Sequence, residues 1–226
     1  MIRGILFDKD GTLLDIEKTW GTWAVGALDR VTEGDRALAR RAGNAIGIDA
    51  DTGAFDPEGA AVAGTLSEQA DLLAPVLARD ARAIEDWLRS EARTAVPHLI
   101  APPAFYEGLS DYALGVGTND GEAAARAQLD RAGLSFPFVA GYDSGHGAKP
   151  GPGMVLAFAK WADLAPSEVA MVGDSEHDLN AARAAGAVAI AVLSGPIRRE
   201  RLEPHADAVL PDVLALPDWL RTNATR

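Results

Sequence analysis

The sequence predicts an α/β fold, with a parallel sheet flanked by helices and one all-helical insertion. Two observations predict the sheet: short apolar runs alternate with helical segments from about residue 96 onwards, and one more apolar run lies at residues 5–7. The stretch between them, residues 16–95, shows the three- and four-residue spacing of helices, with a loop at about residues 49–64 and no convincing strand. We therefore assign residues 1–15 and 96–226 to an α/β core and residues 16–95 to the insertion.

The predicted strands are short apolar runs bounded by turn residues or helical segments. They lie at residues 5–7, 112–117, 139–140, 169–172, 188–192 and 208–210. Helices are predicted at residues 104–109, 122–132, 153–162 and 178–185, and a C-terminal helix reaches Leu220. Strands that alternate with helices pair in parallel, so residues 5–7 join the same sheet although about a hundred residues separate them from the next strand.

The insertion begins with an amphipathic helix. Trp20, Trp23 and Ala27 recur at helical spacing, and Thr19 is the predicted N-cap. A later helix is predicted to begin at Ser67. We expect the tryptophans of the insertion to belong to its hydrophobic core, because large aromatic side chains dominate core burial.

Composition excludes several function classes. The 226 residues carry a net charge of −12, with four lysines and no cysteine. This excludes disulfides, thiolate metal sites and cysteine nucleophiles, and it leaves no basic stripe for a nucleic-acid backbone. The sequence shows no apolar stretch of bilayer length and no signal peptide. We expect a cytoplasmic protein with neither nucleic acid nor membrane as a partner, and the oligomeric state stays open.

Residues 223–225, Asn-Ala-Thr, match a glycosylation triplet by letter. Because no secretory signal accompanies the triplet, we interpret it as a polar tail.

The first strand ends in Asp8-Lys9-Asp10-Gly11-Thr12, which puts two carboxylates two residues apart at a turn. Gly11 suits the sharp change of direction that such a turn needs. Ligands of open parallel sheets bind beyond the carboxyl ends of the strands, so Asp8 and Asp10 lie where a site is expected. Asp and Gly are also common turn residues, so the two acids alone are compatible with a solvated turn.

Three later strand ends also carry polar residues. Thr118, Asn119 and Asp120 follow one strand, Lys149-Pro150 lies in the loop after residues 139–140, and residues 173–178 read Gly-Asp-Ser-Glu-His-Asp. Each is ambiguous alone, since a threonine or serine there also suits a helix cap and a loop lysine is usually solvated. Parallel strands, however, would deliver two acids, a hydroxyl, a cation and two more acids to one edge of the sheet.

This order of motifs resembles the haloacid dehalogenase superfamily, and specifically its phosphatases. The matching residues are Asp8-Lys9-Asp10-Gly11-Thr12-Leu13, Thr118-Asn119, Lys149-Pro150 and Gly173-Asp174-Ser175-Glu176-His177-Asp178. The resemblance covers nearly the whole chain outside residues 16–95. It implies a Rossmann-like parallel core, and it implies that the insertion is the family's helical cap, which would close over the site.

The resemblance also implies a covalent mechanism. Asp8 would attack phosphorus and form an aspartyl-phosphate, since a carboxylate can act as a nucleophile. Asp10 would protonate the leaving oxygen and then activate water. Thr118 and Asn119 would bind the substrate phosphate and Lys149 would supply positive charge, since phosphoryl transfer depends on positioning and on neutralising oxygen charge.

A metal ion completes this hypothesis. Asp8 and Asp174 would repel each other and the phosphate unless a hard cation joined them, and Mg²⁺ fits because it takes oxygen ligands from carboxylates and phosphates. The carbonyl of Asp10 is the remaining protein ligand that the resemblance implies. Asp178 is expected to hold Lys149 or a metal-bound water, and Gly11 supports the turn.

We predict a Mg²⁺-dependent hydrolase of a small phosphorylated metabolite, phosphoglycolate-like or a sugar phosphate. Asp10 argues against dehalogenation, because the dehalogenases of the family lack an acid there. Phosphoglycolate phosphatases look most similar, but they usually carry serine after Leu-x-Asp, where this chain has Ile16. Two alternatives stay open: a sugar phosphomutase of the same fold, and a non-catalytic regulator that binds phosphate or metal.

Overall fold

The computed structural model describes residues 1–223, except for the side chain of Ala63. The chain divides into two compact units, one formed by Met1–Asp15 with Leu99–Arg226 and the other by Ile16–His98. Of the glycosylation triplet, Ala224 and Thr225 lie outside the described residues.

The first unit contains one sheet of six parallel strands. They are β1 Gly4–Phe7, β2 Ala113–Gly117, β3 Phe138–Ala140, β4 Val169–Gly173, β5 Val188–Val192 and β6 Ala208–Leu210. Their order in the sheet is β3-β2-β1-β4-β5-β6, so the predicted parallel α/β fold is confirmed. The chain builds outwards from β1 to β3 and then, on the other side, from β4 to β6. The order reverses between β1 and β4, where open sheets of this kind bind ligands.

Strand β1 lies between β2 and β4 and is hydrogen-bonded to both. Its residues Ile5, Leu6 and Phe7 are fully buried, because both faces of a parallel sheet are covered and a central strand needs apolar side chains on each. The Phe7 ring meets the Tyr106 ring edge-on, with centroids 5.9 Å apart. This packing fixes the end of β1 and the start of the turn that follows.

The helices of the described residues alternate with these strands or belong to the second unit. They are α1 Thr22–Val31, α2 Arg36–Ile46, α3 Ala60–Ala63, α4 Leu66–Leu77, α5 Ala81–Ala92, α6 Pro103–Glu107, α7 Glu122–Arg131, α8 Gly153–Trp161, α9 Glu176–Ala185, α10 Arg199–Leu202 and α11 Leu216–Asn223. A π-helical turn at Glu17–Gly21 precedes α1, and 3₁₀ turns lie at Pro166–Glu168, Glu203–His205 and Val213–Ala215.

Two predicted helix starts are wrong. Thr19 lies within the π-helical turn, and its hydroxyl accepts the backbone N–H of His98 at 3.1 Å instead of capping α1. Ser67 lies inside the first turn of α4, whose N-cap is Thr65. The Thr65 hydroxyl accepts the N–H of Glu68 while the Glu68 carboxylate accepts the N–H of Thr65, a reciprocal capping box.

The second unit is built from amphipathic helices, with α4 packed against α2 and α5. In α4 the buried positions are Leu66, Ala70, Leu73 and Leu77, which is the three- and four-residue spacing of one apolar helix face. This unit buries side chains mainly through such faces, as the helical periodicity predicts.

The tryptophans of the second unit are only partly buried, contrary to expectation. The rings of Trp20 and Trp23 pack edge-on with centroids 5.0 Å apart, and the Trp23 indole N–H donates to the carbonyl of Glu91 at 3.1 Å. A large ring with one polar atom suits such a border position. None of the helices within residues 1–223 is long and apolar enough to cross a bilayer.

Candidate active site

The candidate site lies at the carboxyl edge of the sheet, where β1 and β4 end side by side. Asp8 follows β1, whereas Asp174 and Asp178 follow β4. One oxygen from each of these three buried carboxylates lies within 4.8 Å of the others. Thr118 follows β2, and Lys149 reaches the acids from the loop between β3 and α8. The fold therefore brings the three acids and the lysine into one cluster.

The turn after β1 directs the first two acids. The N–H of Asp8 donates to the carbonyl of Val172 at 2.8 Å, which extends the pairing of β1 with β4 up to the site. The Lys9 carbonyl then accepts the N–H of Leu13 at 2.9 Å, so the chain reverses within a few residues. Gly11 lies in this turn with φ of +81°, a left-handed conformation that favours glycine.

Two glycines make room for the carboxylate of Asp174. A Cβ atom added to Gly11 or to Gly195 would overlap the Asp174 side chain. The Ser194 hydroxyl donates to the carbonyl of Gly11 at 2.7 Å and joins the turn after β1 to the loop after β5. Asp174 therefore lies in a slot lined by backbone. Ser194 and Gly195 were not predicted from the sequence, where Ser-Gly after a strand looks like an ordinary turn.

Lys149 is the cation of this cluster. Its Nζ donates to Asp8 Oδ1 at 2.6 Å and to Asp178 Oδ1 at 2.5 Å, and its side chain is 4% exposed. Burial acts to lower the pKa of Lys149, but the charges of Asp178 and Asp8 outweigh burial and raise the pKa above its ordinary value. Lys149 is therefore positively charged at neutral pH.

Asn119 and Thr118 differ in how their side chains use their hydrogen-bonding groups within the protein. Asn119 Nδ2 donates to the Lys149 carbonyl and Asn119 Oδ1 accepts the Lys149 N–H, both at 2.9 Å. The Asn119 side chain therefore holds the Lys149 backbone. Phosphate binding by Asn119 stays a prediction, which we assign to its backbone N–H. Thr118 Oγ1 accepts the N–H of Asp120 at 3.1 Å, which leaves the hydroxyl hydrogen to donate.

Asp178 uses both oxygens to support the cluster. Its Oδ1 accepts from Lys149, and its Oδ2 accepts from the N–H and hydroxyl of Ser175 at 3.0 and 2.6 Å. Ser175 is the N-cap of α9, so the first turn of that helix fixes the Asp178 carboxylate. Of the two roles expected for Asp178, the structure shows the contact with Lys149.

The site carries excess negative charge. Burial raises the pKa of Asp8 to about 7 against the lowering effect of Lys149, and repulsion from Asp178 and Asp10 adds to the rise. Burial also raises the pKa of Asp174 well above its ordinary range, with repulsion from Asp8 and Asp178 as further causes. Three carboxylates around one ammonium group leave an excess of two negative charges when all are ionised. A divalent cation matches this excess, and carboxylate oxygens suit Mg²⁺, so the residues fit a metal.

A second buried cation, Lys9, is not among the predicted site residues. Its Nζ donates to Asp10 Oδ2 at 2.5 Å and to Gln128 Oε1 at 2.6 Å, and it lies 3.4 Å from Asp120 Oδ2. Burial acts to lower the pKa of Lys9, but the charges of Asp10 and Asp120 outweigh burial and raise it. The available signal was a lysine between two acids directly after an apolar strand, where an unpaired charge would be costly.

This parallel α/β core carries buried acids and a lysine at the point where the strand order reverses, which is the arrangement of a candidate active site. The family model described as haloacid dehalogenase-like hydrolase matches residues 2–186. The chain belongs to the haloacid dehalogenase-like hydrolase family, as the sequence motifs predicted.

Several curated relatives are phosphoglycolate phosphatases, and another is a probable phosphatase of Dickeya dadantii. The protein of Rhodospirillum rubrum is 37% identical over 109 residues, which are 47% of this chain and 45% of the relative. The protein of Nitrosospira multiformis is 29% identical over 227 residues, which are 94% of this chain and 92% of the relative. The match thus spans about half of the first relative and nearly all of the second.

Solved structures share the fold. An L-2-haloacid dehalogenase from Xanthobacter autotrophicus superposes with a TM-score of 0.66 at 20% identity, covering 99% of this chain and 100% of the other. A hydrolase from Pseudomonas syringae gives a TM-score of 0.65 at 21% identity, covering 99% of both chains. At such identities the likeness concerns the fold alone.

Proposed function

We propose that this chain is a Mg²⁺-dependent phosphatase that hydrolyses a small phosphomonoester through an aspartyl-phosphate on Asp8. The observation that carries the proposal is a buried carboxylate, Asp8, paired with Lys149 at 2.6 Å and followed two residues later by a second acid, Asp10. Membership of a hydrolase family and similarity to phosphoglycolate phosphatases support it.

In the first step Asp8 attacks phosphorus. Lys149 binds Asp8 Oδ1, so we assign the attack to Oδ2. The new Asp8–phosphorus bond forms as the bond from phosphorus to the leaving oxygen breaks, and Asp10 donates a proton to that oxygen. Because Lys9 binds Asp10 Oδ2, we assign the mobile proton to Asp10 Oδ1.

In the second step Asp10 takes a proton from water. The water oxygen bonds to phosphorus while the bond from phosphorus to Asp8 breaks, which releases phosphate and restores both acids. The Thr118 hydroxyl, the Asn119 N–H and the Lys149 ammonium group are the proposed donors to the phosphate oxygens. Such fixed donors favour the transition state because they face the charge that develops there.

The metal ligands in this proposal are Asp8, Asp174 and the carbonyl of Asp10. When bound, Mg²⁺ would offset the negative charge of the carboxylates and the phosphate. The slot formed by Gly11 and Gly195 and the raised pKa of Asp174 support this assignment. We expect a chelator to remove activity and added Mg²⁺ to restore it.

The proposed substrates are phosphoglycolate-like compounds or sugar phosphates. Similarity to phosphoglycolate phosphatases favours the first class. A screen of phosphorylated metabolites with Mg²⁺, read as released phosphate, would identify the substrate. Isomerised sugar phosphate without free phosphate would instead indicate a phosphomutase.

The variant Asp8→Asn tests the covalent mechanism. We expect kcat to fall by more than about a thousandfold, because the amide is a poor nucleophile. The matched control is Asp130→Asn, which makes the same change at an exposed position of α7 and should retain activity. Undiminished hydrolysis by Asp8→Asn would overturn the mechanism, and a stable aspartyl-phosphate in the unaltered chain would indicate a regulator instead of an enzyme.

A further inference from the structure

Lys9 is a buried charge that the steps above do not use directly. It is fully buried, and lysine is almost never fully buried unless it is paired. An apolar side chain in the same place would avoid the cost of removing the ammonium group from water, so the ion pair contributes little net stability. The main effect of Lys9 is therefore on the position of the groups to which it is hydrogen-bonded.

The Lys9 ammonium group is anchored from the side of α7. Gln128 Oε1, at 2.6 Å, belongs to a fully buried residue of that helix. Asp120 Oδ2, at 3.4 Å, belongs to the loop that precedes the helix, and its side chain is 8% exposed. The long lysine side chain thus ends in a fixed position.

Asp10 is the third partner and the most exposed of the three. Its side chain is 19% exposed and lies on a turn, so packing alone constrains it less than the buried partners. A charge-assisted hydrogen bond from a fixed donor is short and directional, and here it joins Lys9 Nζ to Asp10 Oδ2 at 2.5 Å. The bond ties one orientation of the Asp10 carboxylate to α7.

We propose that Lys9 is a positioning residue that holds the Asp10 carboxylate in the orientation for proton transfer, with Gln128 and Asp120 as its anchors. The inference rests on the proposed function, because it takes Asp10 as the proton carrier. Lys9 itself makes and breaks no covalent bond; it binds Oδ2 so that Oδ1 faces the proton acceptor.

The test compares two leaving groups. An alkyl phosphate, namely phosphoglycolate or the alkyl phosphate hydrolysed fastest in the metabolite screen, needs its leaving oxygen protonated. 4-Nitrophenyl phosphate releases a stable anion and needs little proton transfer. The value of kcat/KM reports the steps up to formation of the aspartyl-phosphate, so it isolates the proton donation to the leaving group.

The variant Lys9→Met keeps an unbranched buried side chain and removes the charge. We expect kcat/KM to fall at least about tenfold more for the alkyl phosphate than for 4-nitrophenyl phosphate, as a fraction of the 10²–10⁴-fold that a positioned acid supplies. Asp10→Asn should also lower kcat/KM more for the alkyl phosphate than for 4-nitrophenyl phosphate, and by a larger factor than Lys9→Met does. The double variant Lys9→Met/Asp10→Asn should show the same difference between the two substrates as Asp10→Asn alone. Lys160→Met, the same change at an exposed position of α8, is the matched control and should leave both values unchanged.

Equal losses for both substrates in Lys9→Met, or a loss that persists in full on the Asp10→Asn background, would overturn the inference. If Lys9→Met does not fold, Gln128→Met removes an anchor and leaves Lys9 in place, and it should show the same discrimination more weakly; equal losses there would again overturn the inference. If Asp10→Asn itself does not discriminate, the role proposed for Asp10 fails and the inference on Lys9 fails with it. If only Lys9→Met does not discriminate, the proposed function stands.

Discussion

The pH dependence of stability tests the buried acids of the site. In the presence of a chelator, we expect the free energy of unfolding to fall as pH rises from about 4 to about 7. The pKa of Asp8 is about 7 in the folded chain, against an ordinary value of 3.8 that applies once the chain unfolds. Within this window the folded chain holds a proton that the unfolded chain has released, so raising the pH favours unfolding.

The magnitude follows from the two pKa values of Asp8. A rise from 3.8 to about 7 corresponds to about 4 kcal/mol over the whole window. Between pH 5 and pH 8 about two pH units of the window remain, which correspond to about 3 kcal/mol. Burial also raises the pKa of Asp174 and Asp120, which act in the same direction. Asp49 and Asp51, whose pKa values are lowered by hydrogen bonds, act in the opposite direction but only below about pH 4.

The assay is urea unfolding at pH 5 and pH 8 with chelator present. The unaltered chain should lose about 3 kcal/mol between the two pH values, and Asp8→Asn should lose clearly less because the titrating group is absent. Asp130→Asn, at its exposed position, should match the unaltered chain. Added Mg²⁺ should reduce the loss, because a ligand that binds the ionised carboxylates stabilises the folded state.

Stability that stays constant or increases from pH 5 to pH 8 in chelator would refute this reasoning. An Asp8→Asn variant with an undiminished pH dependence would also refute it.

Three further predictions concern packing around the site and the helical unit. In Gly195→Ala the added Cβ overlaps the Asp174 carboxylate, so the Mg²⁺ concentration for half-maximal activity should rise at least about tenfold, which activity titrations with Mg²⁺ would measure. Asp178→Asn weakens the charged hydrogen bond from Lys149. The free energy of unfolding in urea should fall by about 2 kcal/mol, and kcat should fall as well. Thr65→Ala removes the capping box of α4 and should cost about 1 kcal/mol, whereas Ser67→Ala should change stability by less than about 0.5 kcal/mol; similar costs for the two would contradict the observed cap.

The strand ends, and with them most of the cluster, could be predicted from the sequence. A buried parallel strand needs an unbroken apolar run, so the first polar residue after the run marks both the end of the strand and the edge of the sheet. Asp8, Thr118 and Asp174 were found in this way. Lys149 has no such strand signal, and it was found only through the resemblance of its motif to the family.

Other features of the site depend on contacts between residues that are distant in the sequence, which no local sequence pattern indicates. Lys9 is buried because Gln128, 119 residues away in the chain, supplies an acceptor. Asn119 holds the backbone of Lys149 across 30 residues, a use of its amide that the motif alone does not distinguish from phosphate binding. The predicted start of α4 is wrong for a local reason. Thr65 and Ser67 are both favourable N-cap residues, and the cap lies at Thr65 because the Glu68 carboxylate bonds back to the Thr65 N–H.

The central place of β1 also has a consequence for how the chain folds. Gly4 aligns with Ala113 of β2 and with Val169 of β4, so β1 pairs with partners translated more than a hundred residues later. Pairings between such distant segments slow folding, because the loop between them must close before any contact rewards it. The helical unit has no such requirement, since all its residues lie within Ile16–His98. We therefore expect the helical unit to acquire structure during synthesis, before β1 pairs with its partner strands. The cluster of acids is expected to assemble only after β4 has emerged from the ribosome.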